Sequence, residues 1–141
     1  MKIVLASILC LCFASQVALG VSDGDQEWIT LATVASAFLV QDMEDITAAS
    51  ESFDFNALSD GFASLYGHAT EAKKLNDESS VSSAFRTSKQ EFGYALDDFA
   101  NAGLYGYMGV DEMDADKITL ACQYVTSGSE HLTKATNALP Q

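Results

Sequence analysis

Pro140 is the only proline in this 141-residue chain, so nothing before Pro140 contains the residue that breaks a helix most strongly. A proline inside a helix costs about 3 kcal/mol. A long proline-free run rich in Ala, Leu, Asp and Glu favours long helices. It argues against a many-stranded domain, whose turns are punctuated by Gly and Pro.

Apolar residues recurring at i, i+3, i+4 and i+7 mark four helical segments. The first spans about Asp25 to Ser50, with Trp28, Leu31, Ala35, Phe38, Leu39 and Ile46 as its stripe and Ser22 or Asp23 as its cap. Ser52 to Asp54 reads as a turn. The second spans about Phe55 to Asn76 and buries Phe55, Leu58, Phe62, Leu65, Ala69, Ala72 and Leu75. Ser79 or Ser80 would cap the third, which carries Val81, Phe85, Phe92, Leu96, Phe99 and Ala102 and ends near Gly103. Asp111 or Asp114 would cap the fourth, with Ile118, Ala121, Val125, Leu132, Ala135 and Leu139 inward. Short connections force neighbours to run antiparallel, so the expected fold is an all-α, up-down-up-down four-helix bundle over residues 21–141. Each stripe is narrow, so the helices must stabilise one another.

Residues 1–20 read as a cleavable signal peptide in helical form. Lys2 supplies a positive start, Ile3 to Phe13 an apolar run, and Ala18-Leu19-Gly20 the small residues of a cleavage site. Cutting after Gly20 leaves about 121 residues beginning Val21-Ser22-Asp23. The expected location is secreted or extracytoplasmic. Left uncut, Ile3 to Val21 is about long enough to span a bilayer and would tether the protein. No second stretch of that length follows, so no membrane insertion is expected after cleavage.

All 20 acidic residues lie after Gly20, against six basic ones once Lys2 is set aside, a formal charge of −14. Nucleic-acid binding needs clustered Lys and Arg, so a phosphate-backbone partner is excluded as an expectation. The acidity serves either as a solubilising coat or as a surface for cationic partners. Cys10 and Cys12 fall within the signal segment, which leaves Cys122 without an intramolecular partner. Burial against Ala121 and Val125 is the expected fate of Cys122, with a bridge between two chains as the alternative.

Motifs for chemistry are missing. Di-iron bundles need Glu three residues before each His, but Leu65 precedes His68 and Gly128 precedes His131. No Cys-x-x-Cys-His haem signature, Gly-x-Ser-x-Gly elbow or Gly-rich phosphate loop occurs. The acidic runs Asp23–Glu27 and Asp111–Asp116 lack the Gly and Glu of a calcium loop and suit helix starts. No metal site and no cofactor is expected. Asp42 and Asp45 interrupt the first stripe. The expectation is that the helix turns Met43 and Ile46 inward and leaves both aspartates wet; buried, either would require a partner.

Gly103–Val110 has three glycines at three-residue spacing between large side chains. It reads as a loop that either plugs one end of the bundle or, exposed, offers Leu104, Tyr105, Tyr107, Met108 and Val110 as a contact surface. A faint internal echo pairs Gln26-Glu27-Trp28 with Gln90-Glu91-Phe92, and His68-Ala69-Thr70 with His131-Leu132-Thr133. Duplication of a helix pair would produce it, and so would chance.

Ser22-Asp23-Gly24-Asp25 leading into Trp28-Ile29, together with the ending Thr126-Ser127-Gly128-Ser129-Glu130-His131-Leu132-Thr133-Lys134-Ala135, resembles short uncharacterised secreted helical-bundle proteins of methanogenic archaea. The resemblance implies a source and carries no activity. The expected function is that of a non-enzymatic secreted bundle acting through protein or cell-surface contacts, with a homo-oligomer among the options. The alternative is an extracellular protein holding a small ligand or metal ion between helices, through His68, His131 or Asp42.

Overall fold

A computed structural model describes residues 21–140, and the expected signal peptide lies outside the described residues. The described residues are all-helical: α1 (Asp23–Ser52), α2 (Phe55–Glu78), α3 (Arg86–Asp111) and α4 (Ala115–Asn137), with a 3₁₀ turn at Ser83–Phe85 leading into α3. No strand occurs among them. No helix among the described residues is long and apolar enough to cross a membrane.

Helix boundaries follow from short polar residues and two strained turns. Ser22 and Asp25 form a reciprocal capping box at the start of α1. Phe53 ends α1 in the left-handed region (φ 56°), returning its N–H to the carbonyls of Ala49 and Ser50. Asp54 then caps α2 by accepting from Ala57 N–H at 3.0 Å. Ser79, expected to open the third helix, instead closes the second, donating its N–H to Leu75 O and Asn76 O. Met113 (φ 53°) turns the chain after α3, and Asp114 caps α4 by accepting from the N–H groups of Asp116 and Lys117.

The segment expected to be a loop from Gly103 to Val110 is helical, the C-terminal part of α3. Glycine costs about 1 kcal/mol each in a helix, but here each one admits a neighbour. A Cβ on Gly103 would lie 2.5 Å from Tyr66 N and 2.8 Å from Phe62 O. On Gly106 it would lie 2.2 Å from the Phe62 ring, and on Gly109 2.8 Å from the Ile118 side chain. Close packing of α3 against α2 and α4 therefore overrides propensity.

Each helix packs against its neighbour in sequence. One core draws on all four, centred on Trp28, Leu39, Leu65, Phe92, Leu96, Phe99 and Leu132. Trp28 meets Phe85 and Phe92 edge-on, with centroids 6.0 and 6.2 Å away. Such aromatic pairs contribute about 0.5–1.5 kcal/mol beyond their burial.

Three expected core residues face outward: Phe38, Phe55 and Leu75. In α1 the buried line runs through Trp28, Ala32, Ala35, Leu39, Asp42 and Ala49, and Phe38, one residue before Leu39, is turned about 100° from it. The same angular step exposes Cys122, expected to be buried, beside the fully buried Ala121.

Candidate functional site

Asp42 lies on the buried line of α1, only 3% exposed, contrary to the expectation that it stays wet. The reason is a pair of partners one turn apart on α2. Ser64 Oγ donates to Asp42 Oδ1 at 2.6 Å, and His68 Nδ1 lies 2.8 Å from Asp42 Oδ2. A carboxylate can only accept, so Nδ1 carries the hydrogen in that contact. Phe38 stacks on the imidazole, ring centroids 4.8 Å apart and planes inclined by 29°. Asp45, by contrast, is exposed and accepts from Gln41.

Ser64, His68 and Asp42 bring a hydroxyl, an imidazole and a carboxylate together without the wiring of a proton relay. In such a relay the hydroxyl and the carboxylate occupy opposite imidazole nitrogens. Here Ser64 Oγ approaches the same Nδ1 at 3.4 Å and gives its hydrogen to Asp42. The geometry fastens α1 to α2.

His131 is held separately. Its Nδ1 lies 2.7 Å from Glu91 Oε2 across α3 and α4, with the Tyr94 ring tilted over it at 5.4 Å. The two histidines thus serve different helix pairs, each with a carboxylate and an aromatic ring. Among the described residues no group of three His, Cys, Asp or Glu side chains gathers in a way that could hold a metal ion.

Asp25 is the second buried carboxylate. Its Oδ1 accepts from Ser82 N–H at 2.7 Å and its Oδ2 from Ser22 Oγ at 2.6 Å, tying the start of α1 to the α2–α3 connection. Burial pushes its pKa up, but the hydrogen bonds from Ser22 and Ser82 together outweigh this and hold the carboxyl below its ordinary value.

Of the residues expected to form a contact loop, Leu104 and Tyr107 are exposed on α3, whereas Tyr105 is half-buried and stacks on Tyr124 at 5.7 Å. Met108 and Val110 are half-buried. The most exposed large apolar side chains are elsewhere: Met113, 94% exposed, and Phe53, 81% exposed, with Phe55 next to the latter. Phe53 and Met113 are also the only non-glycine residues with positive φ among those described. Nothing in the periodicity marks them, since both lie between helices; the available signal is a large apolar residue where a turn calls for Gly or Asn.

No family model matches the chain, and neither a curated protein nor a solved structure is similar to it.

Proposed function

We propose that the protein is an exported, non-enzymatic, up-down-up-down helical bundle that acts by contacting another protein at a cell surface, and that its two strained turns make the contact. Support for the topology comes from contacts that run in opposite order along successive helices. Asp42 meets Ser64 while Trp28 meets Asn76, and Gly109 meets Ile118 while Ser88 meets Ala135. On that topology the Phe53 and Met113 turns share one end of the bundle. The leader-like pattern of Met1–Gly20 supports export.

One observation carries the reading: Phe53 and Met113 combine left-handed backbone with nearly complete exposure. A side chain in that region costs about 1–2 kcal/mol relative to the right-handed one, and an exposed apolar side chain recovers nothing by burial. Both features work against stability, and a contact that buries the side chains compensates. Glu51, Asp54, Asp111, Glu112, Asp114 and Asp116 flank these turns, with Lys117 as the nearest base. A partner with apolar sockets in a basic rim matches this end in charge and shape.

A photo-crosslinking side chain at Phe53 or Met113 tests it on the surface of the producing cells, with Thr133 as an exposed control. A discrete product from positions 53 and 113 and none from 133 is the expected result; equal labelling at all three overturns the reading. A product of twice the chain mass makes the partner a second copy.

A further inference from the structure

Basic residues are scarce here, and four of the six after Gly20 are close in sequence: Lys73, Lys74, Arg86 and Lys89. Three of them, Lys73, Arg86 and Lys89, line a single groove of about 380 Å³ between α2 and α3, together with Asn76, Gly93 and Tyr94. Asp77 and Asp97 also line it.

The floor of the groove is fixed from inside the core. Trp28 Nε1 donates to Asn76 Oδ1 at 2.9 Å. An indole N–H can only donate, so this bond settles which way the Asn76 amide points. Its Nδ2 must face the other way, and a Cβ on Gly93 would lie 3.1 Å from that atom. Nδ2 carries two hydrogens, and Lys89 O at 3.5 Å takes up only one of them, through a long bond. Asn76 is itself 3% exposed. The absence of a side chain at Gly93 thus leaves a donor on a buried, orientation-locked amide facing the groove.

The walls add more donors than acceptors. Lys89 Nζ spends one of its three hydrogens on Ser79 O at 2.7 Å. Lys73 Nζ is held by Asp77 at 2.7 Å and more loosely by Asp97 at 3.7 Å. Gln90 Nε2 donates to Tyr94 Oη at 2.8 Å, which leaves the phenol hydrogen free to point outward. Arg86 is exposed and makes no ion pair among the described residues, although the chain has 20 acidic side chains. The chain's overall negative charge opposes an approaching anion, but at physiological salt its reach is about 8 Å.

The geometry points to a binding site for a small ligand bearing one compact oxyanion, a phosphate or a carboxylate, seated on Asn76 Nδ2 between Arg86, Lys89 and Lys73. Asp77 and Asp97 more than offset the charge of Lys73, so the three cations and two carboxylates of the groove leave one net positive charge, which limits the site to a single such group. The site uses none of the residues in the proposed contact surface and stands or falls independently of it.

Trp28 is the only tryptophan in the chain and is bonded to the floor of the site, so its emission reports occupancy. The protein is titrated with inorganic phosphate and, separately, with acetate, each against sodium chloride at equal ionic strength. We expect a saturable emission change with one or both, and the responding anion distinguishes phosphate from carboxylate. Arg86→Gln should weaken binding at least tenfold with an unchanged melting temperature in the absence of anion, because Arg86 is exposed and unpaired. Gly93→Ala, which sets a methyl group over Asn76 Nδ2, should abolish it. No saturable response beyond chloride, or undiminished affinity in Arg86→Gln, overturns the site, and both tests stand whether or not Gly93→Ala folds.

Discussion

Adding one methyl group to Gly103 and to Gly67 should change stability in opposite directions. Both glycines are interior to helices, Gly103 in α3 and Gly67 in α2, so replacing either by alanine gains about 0.8–1.0 kcal/mol of helix propensity. At Gly67 nothing lies within 4 Å of the new Cβ, and that gain is the whole effect. At Gly103 the methyl would come to 2.5 Å from Tyr66 N, 2.8 Å from Phe62 O and 2.8 Å from Tyr66 Cα. All three are backbone atoms of α2, so no rotamer change relieves the overlap and the two helices must separate. Overpacking of this kind costs about 1–3 kcal/mol, and the rigid neighbour argues for the upper part of that range. Subtracting the propensity gain leaves Gly103→Ala about 2 kcal/mol destabilised. Unfolding entropy of about 2.1 cal/mol/K per residue over roughly 120 residues converts 1 kcal/mol to about 4 °C. Thermal denaturation followed by far-UV circular dichroism should therefore show Gly67→Ala melting about 3–4 °C above the parent and Gly103→Ala about 8 °C below it. A Gly103→Ala protein that melts at or above the parent would refute the close α2–α3 contact, and with it the account of why a glycine-rich segment is helical.

Three further outcomes follow from the buried polar groups and the core. Asp25→Asn should lower stability at neutral pH by about 1.5–3 kcal/mol, the range for hydrogen bonds to a charged group. Because the folded-state pKa of Asp25 is depressed, its contribution is complete above the ordinary aspartate value near 3.9 and is lost as pH falls through the lower folded value; the gap between the acid titrations of parent and variant should hold above about pH 4 and begin to close only below it. Asp42→Ala should cost about 2 kcal/mol in urea denaturation, since it removes the acceptor of both Ser64 and His68, whereas His68→Ala should cost at most about 1 kcal/mol because the imidazole is partly in solvent. Phe92→Ala should cost about 3–5 kcal/mol and Phe38→Ala no more than about 1, reversing the equal weight that periodicity assigns them.

Four helices, the turn at Phe53, the Asp114 cap and most of the inward residues are legible in the one-dimensional pattern because amphipathic periodicity and short polar caps act locally. What is illegible depends on a neighbour. Gly103, Gly106 and Gly109 resemble a loop when read along one helix and become a packing surface only once Phe62, Tyr66 and Ile118 are set against them. Asn76 looks like the polar end of a helix, and its role depends on an indole 48 residues earlier. Asp42 is the sharpest case. Trp28, Ala35, Asp42 and Ala49 are spaced by seven, so a carboxylate stands on the line that is otherwise most apolar. Such a residue leaves two options: the helix rotates to wet it and exposes its neighbours on that line, or the facing helix supplies donors. Rotation would pull Leu39 and Trp28, both nearly fully buried, toward water, at about 1.5–3 kcal/mol for each large side chain fully exposed. Donors cost far less if two of them share one face. Ser64 and His68, four residues apart on α2, meet that condition. Their spacing is visible in the sequence, and weighed together with the burial of Trp28 it favours a paired Asp42 over a wet one.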